Sequence, residues 1–234
     1  MNKLRYINPI NFWNDFRISC GSRIRKKRLK RQCKDLKNTD FTIFTENCLA
    51  GALYHDFGMQ FRTPLINGGF STQDYIKFLT KPQFYMQQKL VFVSNKDESL
   101  PLFYRELDCP VARIEDLHFR FTHYQMKEDE ICELWNRRIA RINWENLFVV
   151  FCEKKGCTYE QMKEFESLPY KNKLILTSKY YPKLKSAFQI KGFENIGYID
   201  NLLKEMPSFP FNTKRYYEQF NFINWLNTGK IEKQ

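Results

Sequence analysis

The stretch FTIFTENCLAGALYHDFG, Phe41 to Gly58, decides how this chain folds. Phe41 to Phe44 read as a strand, Thr45 and Glu46 lead out of it, and a helical pattern begins after Asn47 with Cys48 in its first turn. At about 100° per residue, Leu49, Leu53, Tyr54 and Phe57 gather on one side of that helix, the side for the core. Cys48, Gly51, Ala52 and His55 gather on the other, so the thiol stands among small residues with room for a ligand. A cysteine at a helix N-terminus feels the positive end of the dipole, which favours the thiolate, the form that attacks carbonyls. One short segment thus predicts a strand-to-helix unit and a nucleophile on it.

The alternation continues outward. Strand-like runs occupy Phe41–Phe44, Leu90–Ser94, Leu117–His123, Leu147–Phe151 and Leu174–Thr177, with weaker ones at Val111–Ile114 and Ile196–Ile199. Helical patterns fall on Cys48–Phe57, Thr72–Leu79, Lys127–Asn143, Tyr159–Leu168 and Tyr216–Leu226. Ser71 with Asp74, and Thr158 with Gln161, have the spacing of capping boxes. This pattern predicts an α/β fold, a single sheet flanked by helices, preceded by a basic N-terminal helical arm. The simplest division is an arm over residues 1–38 and one α/β domain over residues 39–234.

Charge supports that division. The net charge is +12, but residues 1–38 hold 12 Lys/Arg against 2 Asp/Glu, whereas residues 39–234 hold 26 against 24. Most of the excess lies in RIRKKRLKRQCKDLK, Arg23 to Lys37. Such a segment suits an anionic lipid surface, nucleic acid, or simply solvent. Phe12, Trp13, Phe16, Ile24 and Leu29 favour a membrane surface over nucleic acid, with residues 10–37 as the contact. No run approaches the roughly 18 apolar residues of a membrane span, and the N-terminus lacks an apolar signal core. Seven scattered cysteines form no disulfide framework, and a reducing cytoplasm is the natural setting.

A base for Cys48 must come from elsewhere in the chain. His55 lies seven residues on, about 10 Å along the helix, too far for a shared hydrogen bond. In LHFRFTH, Leu117, Phe119, Phe121 and His123 share one strand face and His118, Arg120 and Thr122 the other. His123 then sits at the strand's exit, where α/β folds assemble sites. It is either the partner of Cys48 in a nucleophilic pair or a hydrogen-bonded core histidine beside a filler cysteine. In ELWNRRIARIN, Arg138 falls within the apolar stripe Ile131, Trp135, Ile139 and Ile142. A guanidinium there needs an anionic partner, from the protein or from a ligand, with Arg141 close to the same stripe. Cys152 and Cys157 lack the His/Cys mates of a zinc site, and no phosphate-binding glycine loop or Gly-x-Ser-x-Gly elbow occurs. No metal or cofactor is expected, and Gly68–Gly69 reads as a turn.

Five segments carry a family resemblance: FTIFTENCLAGALYHDFG, TPLINGGFSTQDYIKFL, VARIEDLHFRFTHY, LWNRRIARINWENLFVVF and FESLPYKNKLILTSK. In that order, over roughly residues 39–180, the chain resembles bacterial exopolysaccharide biosynthesis proteins encoded in capsule and surface-polysaccharide loci. Where that family has Asn-Cys-Trp-Gly-Gly, this chain keeps Asn47, Cys48 and Gly51 but has Leu49 and Ala50. It is more distantly similar to papain-like cysteine peptidases in an early Asn-Cys before a helix, a later histidine at a strand end, and an Arg-Arg-Ile-x-Arg helix. The resemblance implies a Cys48–His123 pair but carries over no third, orienting residue; Asn143, Glu145 and Asp200 are the candidates. Two functions follow as expectations. One is a cysteine-dependent hydrolase or acyl transferase that takes a polysaccharide precursor or another anionic small substrate, bound by Asn47, Gly51, Arg138 and Arg141. The other is a non-catalytic accessory protein of polysaccharide assembly, peripheral at the inner face of the cell membrane.

Overall fold

The computed structural model of the chain describes residues 9–206 and 214–232, with side chains from residue 21 onward. Among these residues, seven strands and eight α-helices follow one another in an α/β arrangement. Helix α1 spans Pro9–Gln32, β1 Thr42–Thr45, α2 Leu49–Asp56, α3 Thr72–Thr80, α4 Pro82–Met86, β2 Leu90–Val93 and α5 Leu102–Arg105. Then come β3 Val111–Ile114, β4 Leu117–Arg120, α6 Glu128–Ile139, β5 Leu147–Cys152, α7 Tyr159–Ser167, β6 Asn172–Thr177, β7 Ala187–Gln189 and α8 Phe222–Thr228.

The expected α/β class holds, but the strands sort into two sheets where one was expected. One sheet has the order β1-β5-β6-β7, every neighbouring pair parallel; the other is an antiparallel β2-β3-β4 meander. The parallel sheet is covered on both faces, which is why β1, β5 and β6 read as nearly continuous apolar runs. Ile43, Phe148, Val150, Leu174 and Leu176 pack against α2 and α8 around Tyr54 and Trp225. Phe44, Val149, Phe151 and Ile175 face α3, α6, α7 and the inner side of the meander, around Phe119 and Trp135.

As the outermost strand, β1 needs cover on its free edge. The Tyr54 hydroxyl of α2 supplies it, accepting from Ile43 N (3.1 Å) and donating to Phe41 O (3.2 Å). The strand-to-helix unit read from sequence is thereby closed on itself. The caps also form: Ser71 Oγ accepts from Asp74 N, and Thr158 exchanges two hydrogen bonds with Gln161.

Several elements depart from expectation. Helix α6 stops at Ile139 because Asn143 is used elsewhere: its N–H donates to Thr42 Oγ1 (2.8 Å) and its Nδ2 to Asp40 O (3.0 Å). Ile196–Ile199 is irregular rather than a strand, and Tyr216–Leu226 divides into a 3-10 turn, Tyr216–Gln219, and α8. The run Leu117–His123 ends as a strand at Arg120, so strand parity does not extend to His123, which is exposed in the following turn.

The basic arm is helical and its second half is fastened to the body. Arg25, with a side chain 12% exposed, pairs with Glu218 and with Asp56, whose side chain is 4% exposed. Its Nη2 also donates to the Tyr217 hydroxyl (2.7 Å), and Arg28 joins Glu218. Asn227 Oδ1 accepts from the backbone N–H groups of Lys37 and Asn38. These bonds cross the expected boundary at residue 38. Arg23, Lys26, Lys27, Lys30 and Arg31 stay exposed, on the side away from the latch. The side chains of Phe12, Trp13 and Phe16, on which the membrane expectation leans, lie outside the described residues.

Candidate functional site

Cys48 lies one step earlier than expected, at the N-cap of α2 rather than inside it. The first helical N–H groups are satisfied by its neighbours: Asn47 Oδ1 accepts from Leu49 N (2.9 Å) and Thr45 Oγ1 from Ala50 N (3.4 Å). The thiol makes no cap bond, which leaves it available at the C-terminal edge of the parallel sheet. Open parallel sheets place their sites in this crevice.

There a cleft of about 820 Å³ opens, lined among others by Asn47, Cys48, Arg120, His123, Lys154 and Asp200. Three chain regions enclose it. One is the pair of strand ends after β1 and β5, the second the outer side of β4 with the α5 turn, and the third the 198–203 loop. That loop is tied to β5 where Ile199 N donates to Glu153 O (2.6 Å). The β4 wall is held by Gly69, which exchanges two backbone hydrogen bonds with Arg120. A Cβ at Gly69 would fall 2.7 Å from Glu46 O, and one at Gly68 2.4 Å from Arg120 O. The pair is thus more than a turn: it lets the meander approach the residues preceding Cys48.

Charge around the thiol is one-sided. The Cys48 thiol is held above its ordinary value, against the thiolate expected at a helix start: burial pushes it up and outweighs Lys154 and Arg120, which pull it down. Of the six described cysteines, Cys48 is the one whose charged neighbours are all cationic; Cys33, Cys109, Cys132, Cys152 and Cys157 each feel at least one carboxylate. Arg120 Cζ lies over the Phe103 ring, 3.6 Å from its centroid, and Lys154 Nζ lies 5.5 Å from the same ring. Lys154 Nζ donates to Glu46 O (3.0 Å), with the Glu46 carboxylate 3.8 Å away. Glu46 itself is buried: its Oε1 accepts from Asn47 Nδ2 (3.2 Å), its Oε2 has no partner, and burial raises its carboxyl toward the protonated form.

The structure brings Asn47, Cys48 and His123 onto one cleft and leaves Gly51, Arg138 and Arg141 off its lining. The His123 and Cys48 side chains are not hydrogen-bonded to each other; the His123 backbone N–H donates to Asn67 O (3.2 Å). Gly51 is buried, and a Cβ there would touch Ile66 Cγ2 at 3.4 Å, so it faces the 66–67 turn instead of a ligand. Arg138 is buried as its place in the apolar stripe requires, at 7% exposure, but its partner is neutral. Its Nη1 donates to the Tyr124 hydroxyl (2.6 Å), which donates to Ile66 O (2.9 Å), and Phe61 lies 5.3 Å from the guanidinium. Arg141 Nη1 donates to Phe61 O (3.4 Å). Both arginines therefore brace the 61–67 segment behind α2. His55 is exposed on the surface.

Of the options for an orienting residue, Asp200 lines the cleft. Asn143 and Glu145 sit at the opposite edge of the sheet, beside the first residue of β1, more than about 10 Å of strand from Cys48. Arg120 and Lys154 escaped the sequence reading. Arg120 carried a signal, since it alternates with the buried Leu117 and Phe119, but nothing local shows that β4 turns that face toward β1. Among the described residues no group of three or more His, Cys, Asp and Glu could hold a metal ion.

Comparison with known proteins places this cleft in a family. Residues 20–227 match DUF1919, a domain of unknown function. An uncharacterized protein of Haemophilus influenzae (strain Rd) is 34% identical over 194 residues, which are 83% of this chain and 87% of that protein. The match to DUF1919 begins inside α1 and so takes in the latched half of the arm.

Proposed function

The chain belongs to the DUF1919 family, and from that premise we propose that it is a cysteine-dependent acyl-transfer enzyme, a hydrolase or transferase, of exopolysaccharide or capsule biosynthesis. What carries this is the setting of Cys48: an uncapped thiol at a strand-to-helix turn, all its charged neighbours cationic, on one cleft with His123. The Cys48 thiolate attacks a substrate carbonyl, forming a C–S bond as the bond to the leaving oxygen or nitrogen breaks. His123 delivers the proton to that leaving group, then takes one from the water or acceptor hydroxyl that cleaves the thioester. In this reading Asp200, which lines the same cleft, is assigned as the orienting residue. The assignment to polysaccharide assembly comes from the resemblance of the FTIFTENCLAGALYHDFG and LWNRRIARINWENLFVVF segments.

The experiment is alkylation by iodoacetamide at neutral pH, read cysteine by cysteine by mass spectrometry. Cys48 is expected to react at least about tenfold faster than each of the other six, and His123→Ala to slow it. Reactivity equal to that of Cys109 and Cys132 would sink the nucleophile. A second reading, a non-catalytic accessory protein, is favoured by the upward push of burial on the Cys48 thiol and by the lack of a hydrogen bond from it to His123. In either reading the outward-facing cations of α1 suit the anionic inner face of a membrane, with the body in the cytoplasm. Among the described residues no helix is long and apolar enough to cross one.

A further inference from the structure

We propose that Arg120, Lys154 and the Phe103 edge form a phosphate-binding subsite beside Cys48, so that the ligand of this cleft is a phosphorylated molecule. The inference deepens the acyl-transfer reading, on which it rests, by naming its substrate class. It starts from unused donors. The Arg120 side chain is 17% exposed and that of Lys154 23%, both on the cleft. Arg120 makes one hydrogen bond, from Nη1 to Phe103 O, and its Nη2 donates to no described residue. Lys154 gives one of its three protons to Glu46 O. The nearest carboxylate oxygens, Glu106 Oε2 to Arg120 and Glu46 Oε1 to Lys154, are both 3.8 Å away, beyond hydrogen-bond length.

The pattern of free donors selects the anion. A carboxylate prefers a guanidinium fork, two parallel N–H bonds from one arginine. Arg120 has its side-on fork closed, because Nε is buried, and one Nη1 proton is already given to Phe103 O. The remaining Nη protons of Arg120 on β4 and an ammonium from beyond β5 present donors from two directions. That arrangement suits a tetrahedral oxyanion with several oxygens, and lysine serves phosphate as a point charge. Two cations meet here, offset in part by the exposed Glu106 carboxylate 3.8 Å from Arg120. Burial raises the Glu46 carboxyl above its ordinary value, which weakens its hold on Lys154 at 3.8 Å. The cleft extends well past this corner to Asn201 and Tyr198, leaving room for an organic portion.

The test titrates the full chain with inorganic phosphate, glucose 1-phosphate and acetate at matched ionic strength, followed by isothermal calorimetry. Saturable binding of the phosphates and none of acetate is expected. Lys154→Gln and Arg120→Lys should each weaken it at least about tenfold, whereas Lys155→Gln, exposed on the rim, should change it less than about threefold. Tighter binding of glucose 1-phosphate than of inorganic phosphate assigns the site to a phosphorylated substrate; equal or weaker binding assigns it to free phosphate and overturns the substrate claim. No saturable phosphate binding, or binding unchanged in the folded Lys154→Gln protein, overturns the subsite. Cys48 alkylation on the same samples keeps the two readings apart. Selective alkylation without phosphate binding removes only the subsite, and phosphate binding without selective alkylation removes only the nucleophile.

Discussion

Two groups of cations in this molecule are built from the same residue types and treated in opposite ways. In the arm latch, Arg25 and Arg28 are closed upon by Asp56, Glu218 and Tyr217, and Arg25 is left with little unspent. In the cleft, Arg120 and Lys154 rest on an aromatic ring and on backbone carbonyls, and the nearest carboxylates stand off at 3.8 Å. Arg138 is a third case, buried and content with a hydroxyl and a ring. An arginine in a sequence thus says little about its work; the partners that close on it decide whether it fastens the fold or waits for a ligand.

The largest expected effect tests the latch. Asp56→Ala removes the carboxylate shared by Arg25 and Tyr217, leaving Arg25 to its ion pair with Glu218, and should cost about 2–4 kcal/mol in urea unfolding. Lys154→Gln, by contrast, should cost under about 1 kcal/mol, because no close ion pair is lost. Similar losses in both variants would erase the distinction between the two groups.

Next in size is the wall that holds Arg120 in place. Gly69→Ala drives a methyl into Glu46 O and should destabilise by about 1–3 kcal/mol while moving β4 away from Cys48. Gly51→Ala meets only the side chains of Ile66 (3.4 Å) and Asn67 (3.6 Å) at ordinary contact distance, in a helix where alanine is preferred. It should be neutral within about 1 kcal/mol. Thermal denaturation of the pair separates a backbone clash from ordinary packing.

Smaller effects concern the charges the latch leaves outside. Lys26→Gln and Lys27→Gln, on the exposed side of α1, should each weaken binding to anionic liposomes by about fivefold at low salt. Raising salt should abolish what remains, since exposed charges are screened within about 10 Å at 0.1 M. Liposome co-sedimentation that ignores both substitutions would mean that the arm does not meet a membrane.

The gentlest test is pH. The Glu46 carboxyl titrates higher in the folded chain than in the unfolded one, because burial opposes its charge. Its contribution to stability is therefore fully present below the unfolded value near 4.5 and is lost as pH rises through the folded value. Glu46→Gln imitates the protonated form. The stability of the Glu46→Gln variant minus that of the wild type should grow as pH rises above the unfolded value. A difference flat with pH would mean Glu46 titrates alike in both states.

Much of this was legible in the chain itself, and the residues show where legibility stops. The α/β class, the β1–α2 turn, the caps at Ser71 and Thr158, and the burial of Arg138 all follow from neighbours within a few positions. Periodicity and capping are local effects, and the sequence by itself determined them. It also determined that Cys48 would stand at a helix start, since Asn47 and Thr45 are at hand to satisfy the first turn. What the tertiary structure alone decided is everything that depends on distant segments meeting. β7, three residues long, exists because β6 offers it an edge. The strands fall into two sheets because a parallel sheet and a meander pair with different partners. Asn143 became a turn bracket at the wrong end of β1, and Arg138 met Tyr124 instead of a carboxylate. Arg120 and Lys154 converge on Phe103 beside Cys48 although each lies far along the chain from that thiol. Charge–charge and charge–ring contacts act through space over a few ångströms, whereas a sequence orders residues only along the chain.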